Sequence, residues 1–439
     1  MLDYETVDYY LETAPEFQAD PHAYYDYLRS KGPITPLAHH NAVAVTGYEE
    51  AIQIMLDTEH FSSLPAITGA MTDIPLEGSG DDISKQIEAA RSKSAFGDLV
   101  LTTDGERHAA LRSILVVLFM PRRMKTLEDS LRGTADAMID EFHAQGKVEL
   151  VQQYGSPFGT LVIADLLGIP PKTRKRIRAI TDKGAARKFG DAPEEIMQAT
   201  FTALGKEIFG LVARRRISFS APVIFLKRVF GLETKDDILG ELAMARFPDG
   251  TKPGLTELTG LGTFLFGAGQ DTTSRLISNS FRYLATHPDV QGRLRSDPSL
   301  IPAFIEEMLR YDGSVKSAGR ICTRTTNVAG VEIKAGTHVM VSHMAANRDP
   351  RRFENPSDFT LNRPKAKEHL GFGRGPHTCI GAQLARAEVR ISLERLLARL
   401  GNIRLSEAHH GPADAPRFKY DPSYILRALS YLHLEFDPT

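Results

Sequence analysis

Residues 371–381 read GFGRGPHTCIG, and the segment AQLARAEVRISLERLLARL, which has helical spacing, follows at once. The glycines of this stretch permit backbone conformations that other residues rarely adopt, and Pro376 stiffens the chain after them. Cys379, one of only two cysteines, therefore lies between a stiff loop and the start of a helix. Unpaired amide groups and the helix dipole at such a place favour a thiolate. The stretch thus indicates a sulfur that is available as a nucleophile or a metal ligand.

Local evidence leaves several interpretations of Cys379. It is a buried structural cysteine, a zinc ligand, a nucleophile paired with His377, part of a phosphate loop, or the thiolate ligand of a haem iron. No CxxC or HxxxH partner is nearby, the position of His377 two residues before Cys379 makes a nucleophile pair doubtful, and the glycines do not form GxGxxG. The structural cysteine and the haem ligand remain, and a haem makes demands elsewhere in the chain.

The composition narrows the class of protein. Among 439 residues, 53 Lys and Arg nearly balance 55 Asp and Glu, so we expect no nucleic-acid partner. Two cysteines cannot form a disulfide framework, which favours a reducing, cytoplasmic location. The densest apolar run, 114–120, is far shorter than the roughly 20 residues that a membrane span needs. We expect a cytoplasmic monomer without a membrane span.

Helical spacing dominates the chain, and the strand-like segments do not alternate with helices in a βαβ rhythm. The strand-like segments are ITPLAHH, NAVAVTG, ICTRTT, VEIKAG, THVMVS and a terminal pair around YILRAL and YLHLEF. Because no Pro/Gly/Ser-rich boundary divides the chain, we predict one domain, 1–439, that is mainly α with a small β region (α+β). The helical segments are 48–57, 106–145, 172–182, 193–216, 255–286, 299–311 and 381–400.

A haem needs a second wall, and the longest helical segment offers one in GTFLFGAGQDTTS. Gly267, Ala268 and Gly269 are small enough for a flat ligand to approach, and Asp271 and Thr272 follow in an otherwise apolar helix. Thr272 is expected to bond back to the carbonyl group of Ala268 and open a groove for water or dioxygen. The alternative is that the small residues pack against another helix and that Asp271 is solvated.

Haem propionates need cations, and the cysteine loop needs support. His108 and Arg112 share one helix face, Arg320 follows the helix at 299–311, and His377 lies in the cysteine loop. Each of them, taken singly, is typical of a surface residue. Glu307 and Arg310 are three positions apart on one helix, close enough to form an ion pair that supports the cysteine loop. Phe372 is placed to cover the sulfur.

Together these residues resemble the cytochrome P450 superfamily, the haem-thiolate monooxygenases. The family loop pattern FxxGxxxCxG, the distal-helix pattern AGx(D/E)T and the ExxR pair all occur in order, along with AANRDP and HLGFG. The loop pattern is met by Phe372, Gly375, Cys379 and Gly381, with Ala385 also as expected, and the distal-helix pattern by Ala268, Gly269, Asp271 and Thr272. The ExxR pair is Glu307 and Arg310, and Arg363 in LNRP resembles the later arginine that completes a three-residue network in this family.

The resemblance implies a triangular helical fold around haem b, with Cys379 as the axial ligand and Asp271 and Thr272 delivering protons through water. It implies insertion of one oxygen atom from O2 into a C–H bond of a lipophilic small molecule, such as a terpenoid, steroid, fatty acid or aromatic. The residues implied to contact the haem are His108, Arg112, Arg320, His377, Phe372, Ala268, Gly269 and Gly381.

The resemblance also implies a pocket and an electron donor. Residues 64–98 correspond to a variable substrate-pocket loop and 183–235 to a lid region, which departs from the family in the apolar insertion 217–231. Lys316 lies on the surface or anchors a substrate carboxylate. The implied pocket residues are Phe96, Phe264, Leu265, Lys316, Ser317 and Ile425. A small acidic ferredoxin is expected to bind a basic face comprising Arg112, Arg122, Arg123, Lys125, Arg374 and Arg386.

Three rival hypotheses remain. The first is a peroxygenase of the same fold that uses hydrogen peroxide directly, which the acid–alcohol pair of Asp271 and Thr272 disfavours. The second is a non-catalytic haem-binding sensor or carrier. In the third, Cys379 is structural and no haem binds.

Overall fold

The computed structural model describes residues 4, 7, 14–68, 74, 76, 80–94, 96–185, 193–218, 238–423 and 425–439. Helices account for most of these residues, as the spacing of apolar positions predicts. The helices are α1 Pro15–Ala19, α2 Pro21–Lys31, α3 Tyr48–Leu56, α4 Ser84–Lys93, α5 Gly105–Val116, α6 Pro121–Asp140, α7 Ser156–Leu166, α8 Pro171–Ala185, α9 Pro193–Ser218, α10 Ile238–Met244, α11 Leu255–Thr286, α12 Pro288–Ser296, α13 Ile301–Tyr311, α14 His343–Ala346, α15 Ala382–Arg399 and α16 Glu407–His410.

Helix α11 runs through the middle of the fold and has the predicted ends. At its start, the Glu257 carboxylate accepts a hydrogen bond from the Gly254 amide at 2.6 Å, which satisfies the chain entering the helix. At its end, His287 leaves the helical conformation because Pro288 follows it. The helix packs against α7, α9 and α15, so it contributes to the main apolar core along much of its length.

Helix α15 follows the cysteine loop and packs against α6, α11 and α13. It begins at Ala382 and ends at Arg399, one residue inside the predicted segment at each end. The helical segment predicted over 106–145 is interrupted: α5 ends at Val116, and α6 begins at Pro121, whose missing N–H suits the first position of a helix.

Three sheets account for the β region. The strands are β1 Ile34–Leu37, β2 Ala42–Val45, β3 Phe61–Ser62, β4 Lys147–Glu149, β5 Ser317–Cys322, β6 Thr326–Val328, β7 Val331–Ile333, β8 His338–Ser342, β9 Leu400–Leu405 and β10 His433–Pro438. The largest sheet has the order β1-β2-β8-β5-β3, and its β2–β8 pair is parallel. The second has the order β4-β10-β9, and β6 pairs with β7 in the third.

The predicted terminal strand pair is wrong. Within 424–429, Leu426 and Leu429 make only isolated bridges, to Val315 and Tyr420. Strand β10 instead pairs with β4 and β9, which are distant in sequence. The alternation of apolar residues identified β10 as a strand but carried no information about its partner.

Helices α7 and α11 approach closely through small residues. A Cβ atom at Gly159 would lie 2.6 Å from the Gln270 carbonyl oxygen, and one at Gly269 would lie 3.0 Å from Cδ1 of Ile163. Gly269 therefore directs its missing side chain at α7. Its small size serves this helix contact, which is the alternative that the sequence left open.

The two segments predicted as pocket loop and lid are described only in part. Residues 64–98 contain helix α4, so this stretch is more regular than its weak periodicity predicts. The described part of 183–235 consists of the last residues of α8 and of helix α9, whereas residues 219–235, which hold most of the apolar insertion, lie outside the described residues. No helix among the described residues is long and apolar enough to cross a membrane.

Candidate active site

The loop before α15 closes on itself. The Cys379 amide donates to the Phe372 carbonyl oxygen at 2.9 Å, and the chain between them turns through Gly373 and Gly375, whose φ angles are 67° and 74°. Both values lie in the left-handed region that favours glycine. Gly371 is needed for a different reason, close packing: a Cβ atom at this position would lie 3.0 Å from the Leu309 carbonyl oxygen.

Cys379 presents an accessible thiol in a protein-lined setting. The side chain has a surface that solvent can reach, but protein atoms surround the sulfur on its other sides. Their presence reduces its solvation, which raises the pKa of the thiol. The Gly381 amide and the positive charges of Arg112 and Arg386 oppose that increase. A thiol that binds a metal ion loses its proton outright, so these three groups would stabilise the bound thiolate.

Open space adjoins this sulfur. A Cβ atom at Gly381, the residue before α15, would meet no described atom within 4 Å. The second cysteine is different: Cys322 is buried in β5, its thiol contacts the Arg324 carbonyl oxygen at 3.0 Å, and burial raises its pKa to about 12. The structural-cysteine interpretation therefore suits Cys322 and not Cys379.

The predicted cations come together beside the cysteine loop. The rings of His108 and His377 lie 4.1 Å apart, and Nη2 of Arg112 donates to the Thr378 carbonyl oxygen at 2.7 Å. His108 is buried, and its Nε2 atom has no hydrogen-bond partner among the described residues. Burial, followed by the charges of His377 and Arg112, lowers the pKa of His108 to about 4.

Arg320 belongs to the same group of cations. It lies in β5, it is 4% exposed, and Nη1 donates to the Gly319 carbonyl oxygen at 2.7 Å. Burial lowers the pKa of its guanidinium group, which the nearby negative charge of Asp104 opposes. A buried cation with so little neutralising charge is suited to an anionic ligand.

Asp104 organises this group and was not found from the sequence. Burial would raise the pKa of its carboxyl group, but hydrogen bonds from His377 and Ser62 and the charge of Arg91 lower it to about 2. Its contact with Nη2 of Arg91 is 2.8 Å. The only sequence signal was its place just before α5, where acidic residues are common.

These observations fit a haem. An iron porphyrin with two propionates requires a thiolate ligand for the iron, room for the ring and polar partners for the propionates. The accessible thiol supplies the first, and the open space at Gly381 supplies the second. The unpaired buried nitrogen of His108 and the buried cation Arg320 supply the third. Arg112 and His377 complete the cationic side.

On helix α11 the acid and the alcohol lie in one turn. Oγ1 of Thr272 donates to the Ala268 carbonyl oxygen at 2.8 Å, as its position predicts. Oδ1 of Asp271 lies 2.9 Å from Nη2 of Arg275, one turn further along the helix. The Asp271 side chain is 46% exposed, so it is neither buried nor fully solvated.

Glu307, Arg310 and Arg363 form one buried network. Oε1 of Glu307 accepts from Nη2 of Arg310 at 2.8 Å and from Nε of Arg363 at 2.9 Å. Arg310 also donates to the carbonyl oxygens of Asn347 and Pro356. The network therefore ties α13 to the chain that precedes the cysteine loop.

A second carboxylate, missed from the sequence, supports the loop directly. Oε1 of Glu306 accepts from Nε of Arg386 at 2.6 Å, and Oε2 lies 3.2 Å from Nε2 of His369. The guanidinium carbon of Arg386 lies 4.6 Å from the centre of the Phe372 ring. The adjacent glutamates in EEMLR were a signal, because consecutive helical positions face different neighbours.

This pairing removes one member from the predicted basic face, because the Glu306 carboxylate neutralises Arg386. Arg112 and Arg374 donate to the backbone carbonyl oxygens of Thr378 and Glu368, the latter at 3.1 Å, and these contacts leave their positive charges in place. Lys125 is exposed, whereas the side chains of Arg122 and Arg123 lie outside the description.

The predicted pocket residues have varied surroundings. Phe96 is buried and meets the Phe201 ring edge-to-face at 5.3 Å. Leu265 is buried in the main core and Phe264 packs against that core, while Ser317 is buried in β5 opposite Ser342.

Lys316 does not lie on the surface, so that interpretation is wrong. Its ammonium group is completely buried, donates to Oε1 of Gln18 at 3.0 Å and lies 4.9 Å from the Phe17 ring centre. Its amide donates to the Ile425 carbonyl oxygen at 2.7 Å. The ammonium group is thus held by α1, and a substrate carboxylate would compete with Gln18 for it.

Comparisons with known proteins agree with this site. The cytochrome P450 family model matches residues 232–402. Cytochrome P450 monooxygenase PikC of Streptomyces venezuelae is 32% identical over 397 residues, which are 89% of this chain and 86% of that protein. The substrate-free structure of Mycobacterium marinum cytochrome P450 CYP150A6 is 42% identical, with a TM-score of 0.88 and complete coverage of both chains. The structure of CYP109Q5 from Chondromyces apiculatus is 26% identical, with a TM-score of 0.80 and 98% coverage of each.

The fold and the relatives define a haem-thiolate oxidoreductase. The chain belongs to the cytochrome P450 family. As a member of that family it is a monooxygenase that uses haem b and O2.

Proposed function

We propose that this protein inserts one oxygen atom from O2 into a C–H bond of a lipophilic small molecule, with electrons from a small acidic ferredoxin. The observation that carries the proposal is the accessible thiol of Cys379 beside the open space at Gly381, within reach of the charge of Arg112. Bound haem supplies the activation of O2, which amino-acid side chains do not provide.

The residues around the cofactor each have a defined task in this proposal. Cys379 holds the iron as a thiolate, which the Gly381 amide and the Arg112 charge stabilise. His108, Arg112, Arg320 and His377 bind the propionates. Glu307, Arg310 and Arg363 keep the cysteine loop in place through their buried hydrogen bonds.

Thr272 and Asp271 hold and move protons. The Thr272 hydroxyl group is bonded to the Ala268 carbonyl oxygen, which leaves its lone pairs for a water molecule. Asp271 is half-exposed beside Arg275, so it can exchange protons with solvent and pass them to that water. The pair therefore supplies protons at the distal wall.

The substrate class rests on the apolar residues of the region and on relatives. Phe96, Phe264 and Leu265 carry no hydrogen-bonding side-chain atoms. One solved relative, CYP109E1 from Bacillus megaterium, is in complex with corticosterone at 25% identity and a TM-score of 0.77. Another, P450BioI at 27% identity, is in complex with acyl carrier protein ligated to hexadec-9Z-enoic acid. Both ligands are lipophilic, which supports a steroid, a fatty acid, or a terpenoid or aromatic of similar polarity.

The electron donor is expected on the side of the cysteine loop. Four exposed side chains, Leu56, Val116, Val117 and Met120, form what we call the proximal apolar patch. A groove of about 390 Å³ adjoins the patch, with Arg112, Gly375 and Pro376 in its lining. Such a patch marks a protein-interaction surface, and the exposed Lys125, which follows Met120 closely in the chain, favours an acidic partner. We also infer a monomer, and the two free thiols support a location in the cytoplasm.

The carbon-monoxide difference spectrum of the reduced holoenzyme tests the cofactor assignment. We expect a thiolate-type Soret band in the wild type and its loss in Cys379→Ala, with Cys322→Ala as the matched control that retains it. No such band in the wild type, or its persistence in Cys379→Ala, would refute the assignment.

A lipophilic compound that shifts the spin state of the ferric enzyme then serves as substrate. Ferredoxin-driven formation of a hydroxylated product supports the function. Efficient turnover with peroxide alone, unaffected by Thr272→Ala, would instead indicate a peroxygenase. Absence of any product with every spin-shifting compound would indicate a haem-binding carrier.

A further inference from the structure

Arg91 is a buried cation to which the proposed function gives no task. It lies in α4, within the segment 64–98 that was predicted as a substrate-pocket loop, and its side chain is only 10% exposed. Its Nη2 atom lies 2.8 Å from Oδ2 of Asp104 and donates to Oγ of Ser62 at 3.1 Å. A buried positive charge is costly without a partner, so the Asp104 carboxylate determines where this guanidinium group lies.

Asp104 joins Arg91 to the cations beside the cysteine loop. Oδ1 of Asp104 lies 3.6 Å from Nε2 of His377 and accepts from the Ser63 amide at 3.0 Å. The Ser63 hydroxyl group in turn lies 3.0 Å from the same nitrogen of His377. His377 precedes Cys379 by two residues. The anchor of Arg91 is therefore part of the propionate-binding group.

The other edge of the guanidinium group holds the turn that begins at Phe96. Nη1 of Arg91 donates to the Thr102 carbonyl oxygen and lies 3.5 Å from the Gly97 carbonyl oxygen. The Thr102 hydroxyl group donates to the Phe96 carbonyl oxygen at 2.5 Å. A Cβ atom at Gly97 would collide with the Arg91 carbonyl oxygen, so the turn packs directly against the end of α4. The position of Phe96 thus depends on Arg91.

These contacts use the fork shape of arginine. One nitrogen faces Asp104, a second faces the turn, and Nε lies 3.1 Å from Oε1 of Glu88. The guanidinium group presents five N–H donors in a fixed plane, whereas the ammonium group of a lysine donates from a single point. Lysine therefore cannot reach the Asp104 carboxylate and the Thr102 carbonyl oxygen together.

We propose that Arg91 is a positioning residue that sets substrate specificity, because it holds the Phe96 turn at a place fixed by Asp104 beside the propionate-binding cations. This inference rests on the proposed function, in which Phe96 lines the substrate pocket. The Phe96 ring meets the Phe201 ring of α9 edge-to-face at 5.3 Å, so a displaced turn changes the contact between two walls of the pocket. Arg91 acts on the substrate through Phe96.

Hydrogen exchange of the holoenzyme, read by mass spectrometry, tests the anchoring. We expect the amides of 96–102 to exchange several-fold faster in Arg91→Lys and in Asp104→Asn, with the exchange of α11 and α15 unchanged. The matched control is Arg324→Lys, which alters a pair with Asp82 at 2.9 Å just before the other end of α4 and should leave 96–102 unaffected. Unchanged exchange of 96–102 in Arg91→Lys overturns the proposal. Faster exchange throughout the protein also overturns it, because Arg91 would then be a merely structural residue.

Dissociation constants from the spin-state shift of the ferric enzyme test the effect on specificity. For lipophilic compounds of increasing length, we expect Phe96→Ala and Arg91→Lys to change the order of preference in the same way. Because the two residues act as a unit, Arg91→Lys should add little to Phe96→Ala. Arg324→Lys should keep the order of the wild type.

The failures of this inference and of the proposed function are distinguishable. Without haem there is no Soret band, and if Phe96→Ala leaves every dissociation constant unchanged, the pocket assignment is wrong and the role of Arg91 falls with it. If Phe96→Ala changes the order and Arg91→Lys does not, only the role of Arg91 is wrong. Should Arg91→Lys fail to fold, Asp104→Asn decides the matter: wild-type exchange of 96–102 in that variant overturns the proposal, and faster exchange confined to this turn supports it.

Discussion

Oε1 of Glu307 lies 2.8 Å from Nη2 of Arg310, and both side chains are completely buried. The same oxygen accepts from Arg363 and from the Thr360 amide, each at 2.9 Å. A pair of this kind on the protein surface would contribute only ~0.2–0.5 kcal/mol. Here the pair is buried, and the Glu307 carboxylate is shared among three donors. Removal of Glu307 or of Arg310 therefore leaves a buried charge without its partner.

Glu307→Gln is therefore expected to lower the free energy of unfolding by about 3–5 kcal/mol, the range found when one partner of a buried pair is removed. Chemical denaturation measures the loss, and the haem absorbance per mole of purified protein should fall with it. Glu394→Gln, whose pair with Arg390 is partly exposed, is the control and should change stability by less than about 1 kcal/mol. Equal, small losses in the two variants would contradict the buried-pair argument.

The contact between α7 and α11 predicts unequal effects of two glycine substitutions. Gly159→Ala would place a Cβ 2.6 Å from a backbone oxygen, which cannot move independently, and should cost about 1–3 kcal/mol of unfolding free energy. Gly269→Ala meets only the end of the Ile163 side chain at 3.0 Å and should cost less. Denaturation of Gly269→Ala with and without Ile163→Val checks this, since the second change should restore the stability of the first. A larger cost at Gly269 than at Gly159 would show that the helices are not packed in this way.

The acid–alcohol turn predicts a change in the fate of O2. Thr272→Val keeps the shape of the side chain but removes the hydroxyl group that bonds to the Ala268 carbonyl oxygen. We expect O2 consumption to continue while product per electron falls several-fold and hydrogen peroxide rises. Simultaneous assays of O2, peroxide and product measure this, with Thr259→Val, which removes a similar back-bonded hydroxyl group elsewhere in α11, as the control. Unchanged product per electron in Thr272→Val would remove this residue from the proton path.

Glu306 predicts a pH dependence of stability. Burial would raise the pKa of its carboxyl group, but hydrogen bonds from His369 and Arg386 lower it from 4.5 to about 2. Because the folded-state pKa is the lower one, this contribution, about 3 kcal/mol, is complete above about pH 4.5 and is lost as the pH falls through about 2. Denaturation curves from neutral to acidic pH should therefore show a shallower decline for Glu306→Gln than for the wild type. Parallel declines would mean that the carboxylate is not held in this network.

The proximal apolar patch predicts a partner effect. Met120→Ser removes an apolar side chain that is 52% exposed, so we expect the KM for the ferredoxin to rise several-fold with the spin-state shift by substrate unchanged. Met244→Ser, the same change at a methionine of α10 that is 41% exposed, is the control and should leave the KM unaltered. A KM that responds to Met244 and not to Met120 would place the docking surface elsewhere.

The sequence predicted those features that depend on residues close to each other in the chain. The loop at 371–381, the Thr272 back-bond and the ends of α11 depend on residues a few positions apart, so glycine, proline and hydroxyl positions predict them. The cysteine-loop, distal-helix and ExxR motifs, in that family's order, likewise indicated the cytochrome P450 family. The terminal strand pair failed for the opposite reason, because strand partners depend on distant backbone.

By itself, then, the sequence determined the class of fold, the axial cysteine as a candidate and the likeness to haem-thiolate enzymes. Only the tertiary structure decided what each charge faces: Arg386 pairs with Glu306 and leaves the basic face, and Lys316 is buried against Gln18. The physical reason is that burial and electrostatic pairing are sums over neighbours from distant segments. Residue types and their spacing along one helix do not contain that information.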